Sequence, residues 1–143
     1  MKKLIYTLGF MLLFTACSKK DIKLLTVQTS TGKITYFVEV ADTKEKMIKG
    51  LMYRKHMKAD HGMLFLFNQT HPQPVTMWMK NTYISLDMLF AEESGKIVGI
   101  AQNTEPLSLK NISPTNKKVR AVVELNAGEV KKNNIKIGDY ILF

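Results

Sequence analysis

The sequence predicts a mainly β (α+β) domain, a small β-sandwich or barrel-like body with one short amphipathic helix. Apolar residues recur at period two over most of the chain, and turn residues cut it into short stretches. Only one stretch switches clearly to a helical period. With 143 residues, 45% of them hydrophobic and 23% charged, the composition is that of one ordinary folded domain and excludes a disordered or fibrous chain.

Met1-Lys2-Lys3 forms a positive start, and Leu4 to Phe14 is an apolar run too short to span a bilayer comfortably. An ordinary signal-peptidase site needs small residues at −1 and −3, and cutting after Ala16 leaves the bulky Phe14 at −3. Leu13-Phe14-Thr15-Ala16-Cys17 instead resembles a lipobox, in which an apolar residue and two small ones precede a cysteine that takes diacylglycerol. Residues 1–16 are therefore expected to be a lipoprotein signal peptide. Residues 17–30 would hold the lipidated Cys17 and a tether, and residues 31–143 a single β-rich domain. Cys17 is the chain's one cysteine, so an internal disulfide is excluded, and acylation accounts for a lone thiol in an oxidising compartment.

Within the domain, Ile34, Tyr36, Val38 and Val40 alternate and predict a strand with one buried face. Asp42 and Glu45 are spaced as a capping box ahead of the stripe Met47, Ile48, Leu51, Met52, which predicts a helix over 43–53. Gly50 lies inside it and calls for a close packing contact. Gly62 to Phe67 is apolar throughout, as in a strand covered on both faces. From Val75 to Lys80 the aliphatic residues are odd-numbered, and from Ile84 to Phe90 even-numbered. That shift predicts a turn or a bulge at Asn81-Thr82; a two-residue hairpin loop there would pair 79 with 84, 77 with 86 and 75 with 88, while a bulge would bend one strand. Glu92 to Gly95 predicts a second hairpin, pairing Phe90 with Ile97, Met88 with Gly99 and Leu86 with Ala101. Residues 102–118 are a long loop, Arg120 to Leu125 a strand, Glu129 to Asn134 one helical turn, and the segment after Asp139 the last strand.

The formal charge of +9 belongs partly to the leader: Lys2, Lys3, Lys19 and Lys20 supply four positives, and no acidic residue precedes Asp21, leaving +5 for 21–143. Those positives are scattered rather than gathered in a stripe, which speaks against a nucleic-acid partner and suits a solvated surface near anionic headgroups.

Gly50-Leu51-Met52-Tyr53-Arg54, Gly62-Met63-Leu64-Phe65, the block from Trp78 to Asp87, Val123 to Gly128 and Ile135 to Asp139 stand in the order and spacing of domain-of-unknown-function family 192. The chain resembles that family from about Ile34 to Phe143. The resemblance implies a compact, mainly β domain with one helix, often exported, and implies no established activity.

Trp78, Lys80, Asn81, Thr82 and Asp87 are candidates to line a shallow polar pocket, Trp78 offering a stacking face and Lys80 a cation. Equally, Lys80 and Asp87 could pair, Asn81 and Thr82 shape a turn, and Trp78 sit in the core. Glu124, inside the apolar strand Ala121 to Leu125, needs a partner if its face is covered, and Arg54 or Lys80 are the available cations. His56, Asp60 and His61, with His71, lack the spacing of a zinc site, and the nine methionines fall on apolar faces, so no metal or cofactor is expected. No Gly-x-Ser-x-Gly elbow is present. The leading expectation is an exported lipoprotein with its domain in the periplasm or on the outer face of the membrane. Its partners would be that membrane, through Cys17, and a small molecule or envelope protein. The alternatives are a hydrolase-like enzyme using Asp87 or Glu124 with Lys80, and a structural envelope protein.

Overall fold

A computed structural model describes residues 21–67 and 74–143. The expected signal peptide, Cys17 and His71 lie outside the described residues. The chain forms β1 (Ile22–Thr29), β2 (Gly32–Ala41), α1 (Lys44–Lys49), β3 (His61–Leu66), β4 (Leu86–Ala91), β5 (Ile97–Ala101), β6 (Ala121–Asn126), α2 (Glu129–Lys132) and β7 (Tyr140–Leu142). These strands make a seven-stranded sheet in the order β5-β4-β6-β3-β2-β1-β7. Only β2 and β3 pair in parallel, and the connection carrying α1 makes that crossover.

The sheet curls into a nearly closed barrel. Its two edges meet where Lys96 bridges Tyr140, Ile97 N donates to Asp139 O (2.8 Å) and Ile141 N donates to Gly95 O (2.8 Å). Gly95 has φ +81°, and a Cβ there would stand 2.3 Å from Ile141 O, so the seam closes only over glycine.

Strand alternation puts Leu25, Val27, Val38, Leu64, Leu89 and Val123 inside the barrel. Met63, Phe65, Met88, Phe90 and Val122 face outward, under α1 and the segment around Val75 to Met79. Burial on both faces is what the apolar runs of β3, β4 and β6 require.

Several expectations need correction. Ile22–Thr29, placed in the tether, is a full strand paired with β2 and β7, with Leu25, Val27 and Thr29 buried on one face. The helix is shorter than 43–53 because Gly50, at φ +44°, turns the chain away against Phe65, whose Cζ would lie 3.2 Å from an added Cβ. Its N-cap is Thr43, which accepts from Lys46 N at 3.3 Å, while Asp42 is drawn off by Lys46 Nζ.

The hairpin about Asn81-Thr82 does not form. Met77 exchanges both backbone hydrogen bonds with Ile112 at 2.9 Å, and Met79 N donates to Ser108 O, so the 102–118 loop takes the place expected for β4. Met79 and Leu86 still share the outer core cluster, which is why their apolar parity suggested pairing. The β4–β5 hairpin does form, but Ile97 pairs with Ala91 rather than Phe90, and a bulge between Phe90 and Ala91 adds a second step, setting Phe90 opposite Gly99 and Met88 opposite Ala101. Met88, Phe90 and Ala101 keep the expected outer face, but Ile97 now stands opposite Ala91 inside the barrel and Val98 joins the outer face, so those two side chains exchange sides.

Candidate functional site

Glu124 sits on β6 between Met63 of β3 and Met88 of β4, on the outward face. It is only 4% exposed and makes no hydrogen bond or ion pair among the described residues. Burial pushes its carboxyl up to about 8, with Arg54 pulling weakly the other way. At neutral pH it therefore keeps its proton and stands as a hydrogen-bond donor without an acceptor.

What Glu124 faces is a cavity of about 220 Å³ under the turn that follows α1. Met47, Leu51, Met52, Phe65, Phe67 and Met77 give it an apolar floor, while Thr76, Trp78, Lys80 and Thr82 give it a polar margin. Trp78 is 45% exposed, which rules out the reading of Trp78 as core, and Lys80 Nζ lies 5.3 Å from its ring centroid. Thr82 is buried, its N–H bonded to Met79 O and its hydroxyl to Lys80 O.

The remaining candidates divide. Arg54 does not pair with Glu124; its guanidinium grips Glu39 with two bonds, one strand pair away on the same sheet face, and reaches Glu124 only through its field. Asn81 holds the turn: at φ +55° it donates to Tyr53 Oη at 2.9 Å and accepts Tyr53 N through its carbonyl. Asp87 is fully buried on the other face of the sheet and accepts from Asn103 N (2.9 Å), Gly128 N (3.0 Å) and Val130 N (2.9 Å). Gly128 caps α2 without a side chain of its own, so Asp87 serves as a distant N-cap. That engagement removes Asp87 from the pocket, from pairing with Lys80 and from any role as a base there.

Met47, Met52, Phe65 and Met77 line the cavity, and sequence reasoning assigned them to core or helix stripe. The signal that could have found them is the conjunction of a helix-ending glycine at position 50 with a charged residue inside Ala121 to Leu125. His61 Nδ1 and Asp60 Oδ1 lie 2.6 Å apart, and that contact holds the Asp60 carboxyl below its usual range. Among the described residues, no cluster of three His, Cys, Asp or Glu side chains could hold a metal. A wider concavity of about 610 Å³ near Phe67 and Val119 is lined by Lys117, Lys118 and Arg120, of which Arg120 meets Glu93 at 3.2 Å and Phe67 O at 2.8 Å.

Fold and site together define a small barrel-like β domain with a half-apolar cavity on its outer face, floored beside a buried, unpartnered carboxyl. The chain belongs to DUF192, described as "Uncharacterized ACR", whose family profile matches residues 26–143. Among solved structures it is similar to a protein of unknown function from Novosphingobium aromaticivorans DSM 12444, with 33% identity, a TM-score of 0.82, and coverage of 90% of this chain and 89% of that one. It is also similar to a protein from Sinorhizobium meliloti 1021 described as a "putative transcription regulator". There the identity is 41% and the TM-score 0.80, over 86% of this chain and 94% of that one. No curated protein matches the chain.

Proposed function

We propose that the chain is an exported, lipid-anchored module of the bacterial cell envelope that binds a small molecule in the Glu124 cavity. The observation that carries the binding half is the Glu124 carboxyl, buried at 4% exposure beside a cavity and without a hydrogen-bond partner among the described residues. Among the described residues no fully sealed side-chain oxygen or nitrogen lacks a partner, so the carboxyl is reached from the cavity, and a ligand there gains a hydrogen bond worth about 0.5–1.5 kcal/mol. The anchoring half rests on the lipobox-like run ending at Cys17. β1 starts at Ile22, five residues after Cys17, and five residues span at most roughly 17 Å at about 3.4 Å each, so an anchor at Cys17 would keep the domain close to the membrane.

Hydrolysis is the weaker reading. Asp87 is committed to backbone amides, and a carboxyl that keeps its proton up to about 8 is a poor base at neutral pH. The S. meliloti relative's description suggests nucleic acid, and the scattered positive charges of residues 21–143 give that no support.

Two measurements test the proposal. Labelled palmitate fed to expressing cells is expected to enter the wild type and not Cys17→Ala; absence of label from the wild type removes the anchor. A thermal-shift screen of small envelope molecules is expected to give hits that stabilise the wild type and lose their effect in Glu124→Ala. A screen without such hits removes the binding role, and turnover of a hit would replace binding with catalysis.

A further inference from the structure

Resting on the cavity-binding reading, we propose that the site takes a small amphiphilic anion, with its charged head between the Glu124 carboxyl and the Lys80 ammonium and its short apolar body on the methionine-lined floor.

The charges around Glu124 set the sign. From β2, Glu39 is locked to Arg54 of the turn after α1, and that pair cancels. The neighbours on β3 and β4, Met63 and Met88, carry no charge. Two cations remain at the margin: Lys49 at the end of α1 and Lys80 after Met79, neither bonded to a carboxylate among the described residues. Lys80 rests only against the Trp78 ring, a contact worth about 0.5–1 kcal/mol at an exposed site and readily exchanged for an anion. A cationic head would meet two ammonium groups and a carboxyl that holds its proton. An anionic head would meet the same ammonium groups and a donor that lacks an acceptor.

Glu124, protonated up to about 8, can donate its O–H to a ligand oxygen. Such O–H···O⁻ bonds are about 2.5–2.7 Å long and roughly twice as strong as neutral ones. The cavity's size limits the rest. At about 220 Å³ it lies below the usual range of about 300–1,000 Å³ for small-molecule pockets and suits a head group with a few carbons. Met47, Met52 and Met77, unbranched and polarizable, adapt to the shape of such a body.

The test uses the full, lipid-anchored chain in nanodiscs, with methionine methyl groups labelled for NMR and empty nanodiscs as control. The probes are butanoate, butyl phosphate, butan-1-ol and butylamine, which share one chain and differ in head. Butanoate or butyl phosphate is expected to move the Met47, Met52 and Met77 signals and to bind at least about tenfold more tightly than the alcohol at pH 6.5, since each 1.4 kcal/mol is tenfold. Its affinity should fall about tenfold between pH 7 and pH 9 as the Glu124 proton is lost.

Glu124→Gln keeps a donor and should bind with no pH dependence. Lys80→Met, on the exposed margin, should weaken binding about five- to tenfold while leaving the pH slope intact. Tighter binding of butylamine, rising through pH 8, overturns the anionic class while leaving the cavity a binding site. Equal binding of all four probes also overturns it. If no probe moves those three methyl signals, the cavity reading itself fails, and this inference with it.

Discussion

Asp87 and Glu124 stand on adjacent strands of one sheet, both buried, and they do opposite things. Asp87, inside the barrel, is satisfied by three backbone amides and secures the start of α2. Glu124, one register step away and on the other face, has no hydrogen-bond partner among the described residues and opens on a cavity. The lesson is that burial alone does not distinguish a structural acid from a site acid. The count of donors around it does.

The sharpest way to break this contrast is Asp87→Ala. It strands three amide groups, each costing about 1–3 kcal/mol unsatisfied, so a loss of roughly 4 kcal/mol is expected by urea denaturation. A loss below about 1 kcal/mol would mean that water replaces the carboxylate and that the contrast is false.

The next effect is a pH dependence. In the unfolded chain Glu124 ionises near its ordinary 4.5, and in the folded chain near about 8. Between those values the folded state holds a proton that the unfolded state has lost, so this group's contribution falls as pH rises. The slope is at most about 1.4 kcal/mol per pH unit, levelling off above pH 8. Glu124→Gln should remove that slope and be the more stable protein at pH 9, as read from the difference between the two denaturation series. Parallel series would show that Glu124 is solvated after all.

The smallest effect sharpens the comparison from the cavity side. Lys80→Ala should change stability by less than about 1 kcal/mol, because an exposed ammonium over an indole contributes no more than that. A larger loss in the same denaturation experiment would make Lys80 part of the scaffold.

Much of the barrel was legible because period two is a local signal. Tyr36, Val38 and Val40 are buried along β2 as their alternation requires, and the unbroken apolar run of β3 is covered on both faces. The same signal was present in β1, where Leu25, Val27 and Thr29 are buried, but the turn at Ser30 to Gly32 was taken for a domain boundary rather than a hairpin. Position 77 was not legible, because its partner Ile112 lies in a polar loop with no strand pattern. Nor could the sequence separate Asp87 from Glu124. Both acids interrupt apolar strands, and the amides that claim Asp87 come from residues as far as 43 positions along the chain. Of the residues proposed around Trp78, those lining the cavity do so because the turn at Asn81 folds 76–82 over β6, which no local pattern encodes.

The seam at Gly95 and Ile141 has a temporal meaning. β7 is the last strand to leave the ribosome, and the cylinder needs it as its final stave. Until it arrives, β1 and the β4–β5 hairpin present open edges, which invite pairing with other chains. A nascent polypeptide of this design stays unlatched through most of its synthesis.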